Sequence, residues 1–244
     1  MEYRVYYCSD EFEGTQIKPE DFKNHKGYSY SNCPVWNHRL NRTNIGYSPC
    51  KFSISITDNV IQYRIDDSDV NEIDLSQFDM DDYYSDDYIE FSVSDIYKEN
   101  PVIQLLFPTV YVWTDFETDY MWFEFLDHPL TSINNNYIAI GGWFNVANHP
   151  RTSSLAIQFC KKDFEVKFEK NEPLYRMRFY TKDMNDNISL IKKLSHQINF
   201  EGEMDSMKDR RKILHNDPKL MKNVLFDKDL RKKCPHHYNK FENV

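Results

Sequence analysis

The sequence predicts a mainly β protein, an antiparallel β-sandwich of jelly-roll type with a basic helical tail at its C-terminal end. One observation is strict alternation of apolar and charged residues in segment 164–168, repeated in 174–180 with a one-residue slip at Tyr175. Period-two alternation places one face of a strand in a core and the other in water. The second observation is composition, since 16% of the residues are aromatic and only 6 are glycine. A core made of rings on strands is typical of a sandwich.

Residues 1–195 are assigned to this β domain, and the predicted strands follow one another with short polar connections that favour antiparallel neighbours. Asp58-Asn59 predicts a tight turn, and Pro101, Pro108 and Pro129 fall at strand ends, where a missing N–H donor does least harm. The acidic segment 66–87 has few periodic apolar positions and is predicted to be an exposed loop. The strands are predicted at 2–8, 51–57, 60–65, 88–93, 102–107, 109–114, 121–126, 137–146, 155–160, 164–168 and 174–180.

The alternation also assigns side chains to faces of the sheets. Four phenylalanines are predicted to be largely buried: Phe144, Phe159, Phe168 and Phe179. Four charged residues are predicted to face water: Glu165, Lys167, Arg176 and Arg178.

After residue 195 the pattern changes to charged, lysine-rich sequence with helical spacing, and residues 196–244 are predicted to form a helical basic tail packed on the β domain. Residues 192–240 contain 13 Lys and Arg against 7 acidic residues, a local net charge of +6. The candidate partner-binding residues on this tail are Arg210, Arg211, Lys232 and Lys233. A solvated helical face is the alternative interpretation.

Charge is unevenly distributed along the 244 residues, whose net charge is -9 and pI about 5.4. Residues 58–99 contain 14 acidic residues against Arg64 and Lys98, a local net charge of -12. The overall acidity opposes general nucleic-acid binding, which requires an excess of Lys and Arg. Five cysteines without a Cys-x-x-Cys pair indicate free thiols in a reducing cytosol. No signal-peptide pattern and no apolar run of about 18 residues is present, so we expect a soluble protein.

Several short landmarks lie along the β domain: Cys33-Pro34, Ser48-Pro49, the Gly141 to Val146 segment with Arg151 after it, and Asn171-Glu172-Pro173-Leu174-Tyr175 continuing to Phe179. Together they resemble a family of uncharacterised proteins encoded by marine T4-like and related tailed phages. Asn171 stands where that family usually has Gly. The resemblance implies a viral origin and no known activity, with action in the cytoplasm of an infected host cell or, alternatively, in the virion.

An Fe(II)-dependent oxygenase is the main enzymatic alternative, because a jelly roll is its usual scaffold. Such a site needs a His-x-Asp/Glu pair and a distant second His. The pair present is His215 with Asp217, in the predicted tail. Cys234, His236 and His237 are weak candidate metal ligands, which Cys33 or Cys50 would complete as a zinc site, although the spacing matches no known finger or ribbon.

Three further patterns are weighed against ordinary structural roles. Asp115, Glu117 and Asp119 have the spacing for paired carboxylates or calcium ligands, but they lie in a predicted hairpin tip. His128 and His149 each precede Pro and are interpreted as turn histidines. The acidic run 79–87 has the charge density of a DNA mimic, against the usual solvated loop.

The hypothesis that follows is a phage-encoded, non-enzymatic binding protein, acting as a virion accessory or as a modulator of a host protein. It predicts a protein partner and no cofactor. The metal-dependent enzyme is the first alternative and the acidic DNA mimic is the second.

Overall fold

The computed structural model describes residues 2–8, 16–19, 39, 41–114, 121–146, 152–161, 164–183 and 185–193. Within these ranges the chain is mainly β, which confirms the predicted class. The strands are β1 (Glu2–Cys8), β2 (Gln16–Pro19), β3 (Thr43–Tyr47), β4 (Phe52–Thr57), β5 (Val60–Ile65), β6 (Asn71–Asp74), β7 (Tyr83–Ser85), β8 (Ile89–Ser92), β9 (Val102–Thr114), β10 (Trp122–Asp127), β11 (Tyr137–Ala139), β12 (Trp143–Asn145), β13 (Thr152–Phe159), β14 (Glu165–Phe168), β15 (Pro173–Tyr180) and β16 (Asn187–Lys192). A 3-10 turn at Leu75–Gln77 and two short helices, α1 (Val93–Ile96) and α2 (Pro129–Asn135), interrupt them.

The described strands form three sheets. Sheet A has the order β11-β13-β9-β1-β16, with β8 also paired to β9 and β7 to β8; sheet B has the order β12-β10-β15-β3-β2; sheet C has the order β14-β4-β5-β6. Among these pairs β1 and β16 run parallel, and the others are antiparallel. The antiparallel prediction is therefore confirmed, whereas the two-sheet jelly-roll arrangement stays a prediction.

One hydrophobic cluster joins all three sheets. Aromatic rings contact one another across sheet boundaries: Phe52 of sheet C lies 4.7 Å from Phe107 of sheet A between ring centroids. Phe159, Phe168 and Phe179 are fully buried, as the alternation predicts. Phe144 is only partly buried, although its ring packs against the core cluster. As expected from the composition, aromatic rings form much of the core between the sheets.

The alternation in β14 and β15 is confirmed for most positions. Glu165 and Lys167 are exposed, and the slip at Tyr175 corresponds to a shift of register against β3 between Pro173 and Tyr175. The prediction that Arg178 faces water is wrong, because this side chain is buried. Arg176 is half-buried. The outer face of sheet B thus carries a polar network that removes Arg178 from water.

The predicted exposed loop at 66–87 is also only partly correct. It contains β6, the 3-10 turn and β7, and it buries Ile73 and Leu75. Asp74 stabilises the turn as its N-cap, accepting hydrogen bonds from the Ser76 N–H at 2.9 Å and the Ser76 hydroxyl at 2.6 Å. The segment is therefore a folded part of the protein in which most of the charged side chains are exposed.

Two of the sequence landmarks meet in the structure. The Ser48 N–H donates to the Glu172 carbonyl and the Asn171 N–H donates to the Ser48 carbonyl, each at 2.9 Å. A third close approach lies beside them, where a Cβ on Gly46 would stand 2.1 Å from the Tyr175 ring. These residues therefore hold β3 against β15, and their role in the described structure is architectural.

Asn171 has a φ of 65°, in the left-handed region that Gly and Asn tolerate best. We expect Asn171→Ala to lower the free energy of unfolding by about 1 kcal/mol. Asn171→Gly should stay within about 0.5 kcal/mol of the natural protein, because Gly adopts this φ without a steric penalty. Urea denaturation of both variants tests this. Equal losses for the two would show that the side chain of Asn171 matters and its backbone angle does not.

Candidate binding surface

The acidic region, defined as residues 58–99, is held as one folded unit. The turn between β4 and β5 has both central residues at positive φ, 51° at Asp58 and 64° at Asn59, and this confirms the predicted tight turn. The Leu75 N–H donates to the Asn59 carbonyl at 2.9 Å, and the Val93 N–H donates to the Asp82 carbonyl at 2.8 Å. The carboxylates of this region are therefore displayed from a fixed frame.

One carboxylate of the acidic region, that of Asp86, accepts hydrogen bonds from within the protein. Its Oδ2 accepts hydrogen bonds from the hydroxyls of Tyr63 and Tyr84, and its Oδ1 accepts from the N–H groups of Tyr88 at 2.7 Å and Ile89 at 2.8 Å. Burial, together with the contact to Asp86, raises the pKa of Tyr84 to about 12, and the pKa of Tyr63 is raised for the same reasons. Both phenols therefore stay protonated as donors. The hydrogen bond from Tyr63 on β5 links sheet C to the connection between β7 and β8.

Most of the other carboxylates in the acidic region are exposed. The exposed ones are Asp58, Asp66, Asp67, Asp69, Glu72, Asp79, Asp81, Asp82, Asp87 and Glu99. The cations of the region are Arg64 and Lys98, and Lys98 already lies 2.5 Å from Asp95. The negative charge of this surface is therefore left largely uncompensated within the region.

Large apolar side chains are exposed among these carboxylates. Met80 is 64% exposed and Tyr83 is 58% exposed, and Val70 and Tyr97 are exposed as well. The sequence does not single out Tyr83, because Tyr83 and Tyr84 look equivalent in it. Pairing of β7 with β8 turns Tyr84 onto Phe91, at 5.1 Å between ring centroids. When one protein binds another, aromatic rings supply contact area and charges supply orientation.

A second polar cluster lies on the outer face of sheet B. The register places Glu124, Arg178 and Thr43 side by side on β10, β15 and β3. The Arg178 guanidinium lies 3.4 Å from Glu124 Oε1 and its Nε donates to the Thr43 hydroxyl at 3.2 Å. Tyr180 donates to Glu124, and burial together with this hydrogen bond raises the pKa of Tyr180. The charges neutralise each other, so we interpret this cluster as structural.

Most of the sequence-predicted site residues lie outside the described residues. These are the partner-binding candidates Arg210, Arg211, Lys232 and Lys233, the metal candidates Cys234, His236 and His237, the pair His215 and Asp217, and Cys33, Asp115, Glu117, Asp119 and His149. The hypotheses built on them stay predictions.

Two candidates do lie in described parts of the chain. Cys50 is buried, and burial raises the pKa of its thiol to about 12, so it stays protonated and is a poor nucleophile or metal ligand. His128 is buried at the N-terminus of α2, where its carbonyl accepts from the Ser132 N–H at 2.9 Å. In the described ranges no three His, Cys, Asp or Glu side chains are grouped so as to hold a metal ion.

None of the described helices has the length and apolar character needed to cross a membrane. Comparison with known proteins adds no relative: no protein-family model, curated protein or solved structure matches this chain.

Proposed function

We propose that this chain is a phage-encoded, non-enzymatic binding protein whose acidic region contacts a basic surface of a partner protein. The observation that carries the proposal is the fixed display of ten exposed carboxylates together with the exposed side chains of Met80 and Tyr83. We place its action in the infected host cell, with the virion as the alternative site, and its fold in the jelly-roll class of sandwiches.

The acidic region suits a basic protein surface for two physical reasons. Clustered carboxylates attract a positive surface and raise the rate of encounter, an effect that salt screens over about 8 Å under physiological conditions. Exposed Tyr and Met side chains supply the desolvated contact area that charged rims lack. A DNA-binding protein is one natural partner, since carboxylates then occupy positions that phosphates otherwise take.

The metal-dependent enzyme remains the alternative function. Its candidates between residues 215 and 237 lie beyond the described ranges, as does Cys33, whereas Cys50 is described and buried. Metal analysis of the purified full-length protein separates the two proposals. Stoichiometric iron or zinc would favour the enzyme.

Removing charge from the acidic region should weaken partner binding without unfolding the protein. We expect the triple variant Asp67→Asn, Asp69→Asn, Asp87→Asn to lose at least about tenfold in affinity, because each exposed carboxylate contributes a fraction of a kcal/mol. The measurement is capture of host proteins on the immobilised protein, followed by titration of the captured partner at two salt concentrations. The loss should be smaller at the higher concentration.

The matched control is Glu2→Gln, Glu165→Gln, Glu169→Gln, which removes the same charge at exposed positions outside the acidic region. It should retain the affinity of the natural protein. Equal binding by the two triple variants would contradict the proposal, and Tyr83→Ser then tests whether the exposed ring contributes at all. If duplex DNA displaces the captured partner, the partner is a DNA-binding protein.

A further inference from the structure

Helix α2 exposes its apolar side chains and buries its polar ones, which is the reverse of an ordinary surface helix. Its apolar side chains Leu130 and Ile133 are 62% and 74% exposed, whereas Thr131 and Ser132 are buried. A surface helix normally turns its apolar stripe inward. Here the inward side is polar, since the Thr131 hydroxyl donates to the Pro173 carbonyl and the Ser132 hydroxyl donates to Asp127 Oδ2 at 3.1 Å. The protein therefore fixes α2 with hydrogen bonds and leaves its apolar side facing outward.

The strand that follows the helix also exposes apolar side chains. Ile138 on β11 and Ile140 just after it are also exposed, while Tyr137 is buried. Strand β11 stands at the end of sheet A, lies close to β10 and α2, and pairs with β13 alone among the described strands. We call Leu130, Ile133, Ile138 and Ile140 the apolar face; they fall within eleven residues of the chain.

The backbone at this edge is oriented for further pairing. The Cys160 N–H donates to the Asn136 carbonyl and the Ile140 N–H donates to the Ala156 carbonyl. In an antiparallel ladder the intervening residues point the other way, so the N–H and C=O groups of Tyr137 and Ala139 are directed away from β13. Edge strands are usually protected by charged residues or Pro, and β11 contains neither.

The chain around the apolar face carries no charge. From His128 to Pro150 there are 23 consecutive residues without Asp, Glu, Lys or Arg, in a protein in which 28% of residues are charged. At that average frequency, about six charged residues would be expected over this length. The apolar face therefore adds no charge of its own that would repel a like-charged body.

We infer that the apolar face is the contact through which two copies of this chain associate about a two-fold axis. A two-fold contact places the same patch of both copies together, and so it requires a surface complementary to itself. An uncharged apolar face meets this requirement, whereas the acidic region would repel its own copy. The outward-directed backbone of β11 adds antiparallel pairing with β11 of the second copy.

A second copy also fits the charges better than a different partner does. Each copy has a net charge of -9, so association requires a contact that keeps the carboxylates of both copies apart. The four side chains of the apolar face offer a basic partner no carboxylate with which to pair. The acidic region stays available for its own partner in the associated form.

Sedimentation equilibrium of the full-length protein across the micromolar range tests this inference. We expect a monomer–dimer equilibrium that persists at high salt, since apolar contacts are not screened. The double variant Ile133→Glu, Ile138→Glu should weaken association at least about a hundredfold, because two charges would face each other across the two-fold axis. Both positions are exposed, so its thermal unfolding should match that of the natural protein.

The matched control is Met80→Glu, which places a charge at a similarly exposed apolar position outside the apolar face. It should dimerise as the natural protein does. The inference is overturned if the natural protein is monomeric throughout this range, or if the double variant still dimerises. It is equally overturned if Met80→Glu abolishes the dimer. It is overturned as well if the double variant loses capture of a different protein while the natural protein sediments as a monomer.

Discussion

Phe168→Ala should lower the free energy of unfolding by about 3 to 5 kcal/mol, because it removes a fully buried ring and leaves a cavity. The Phe168 ring lies on β14 and links two sheets. Its centroid is 6.3 Å from that of Phe52 in sheet C and 5.6 Å from that of Tyr137 in sheet A, which it meets edge to face. A domain of this kind is stable by about 5 to 15 kcal/mol, so the loss is a large fraction of the total.

The measurement is urea denaturation followed by tryptophan fluorescence, in which the midpoint falls while the slope stays unchanged. The matched control is Lys167→Ala on the same strand. Its side chain faces water and pairs with Glu165 at 2.6 Å, and an exposed ion pair contributes less than about 1 kcal/mol. A loss below about 1 kcal/mol for Phe168→Ala would show that β14 turns its other face to the core.

The features that sequence reasoning predicted correctly depend on residues close together in the chain. The faces of β14 follow from period-two alternation, the tight turn from Asp58-Asn59, and the register shift in β15 from the one-residue slip at Tyr175. Each is a local consequence of strand geometry or of residues that tolerate positive φ.

The features that it missed depend on partners distant in sequence. Arg178 is charged and sits at an outward position, and only the pairing of β15 with β10 and β3 brings its partners from 54 and 135 residues away. Helix α2 was not predicted, since its inward side is fixed by hydrogen bonds to other elements and not by an apolar stripe. For the candidate surface, composition located the acidic region, but only the fold distinguishes exposed Tyr83 from half-buried Tyr84.

The second large effect is expected at the Arg178 network. Arg178 and Glu124 side chains are only 8% and 14% exposed, and they are direct cross-strand neighbours on β15 and β10. Arg178→Met should lower the free energy of unfolding by about 3 to 5 kcal/mol, because it leaves the Glu124 carboxylate buried without its cation and the Thr43 hydroxyl without its donor. Arg178→Lys should lose less, since it keeps the charge and forfeits the guanidinium contacts.

A double-mutant cycle in urea separates the pair from the packing around it. Breaking a buried pair is costly, whereas replacing both members with apolar side chains of similar size is often neutral. We therefore expect the double variant Arg178→Met, Glu124→Leu to recover most of the stability that Arg178→Met loses, with a coupling of about 2 kcal/mol or more between the two positions. Additive losses would mean that each side chain contributes through its own packing, and a loss below about 1 kcal/mol for Arg178→Met would mean that water reaches this face of sheet B and screens the charges.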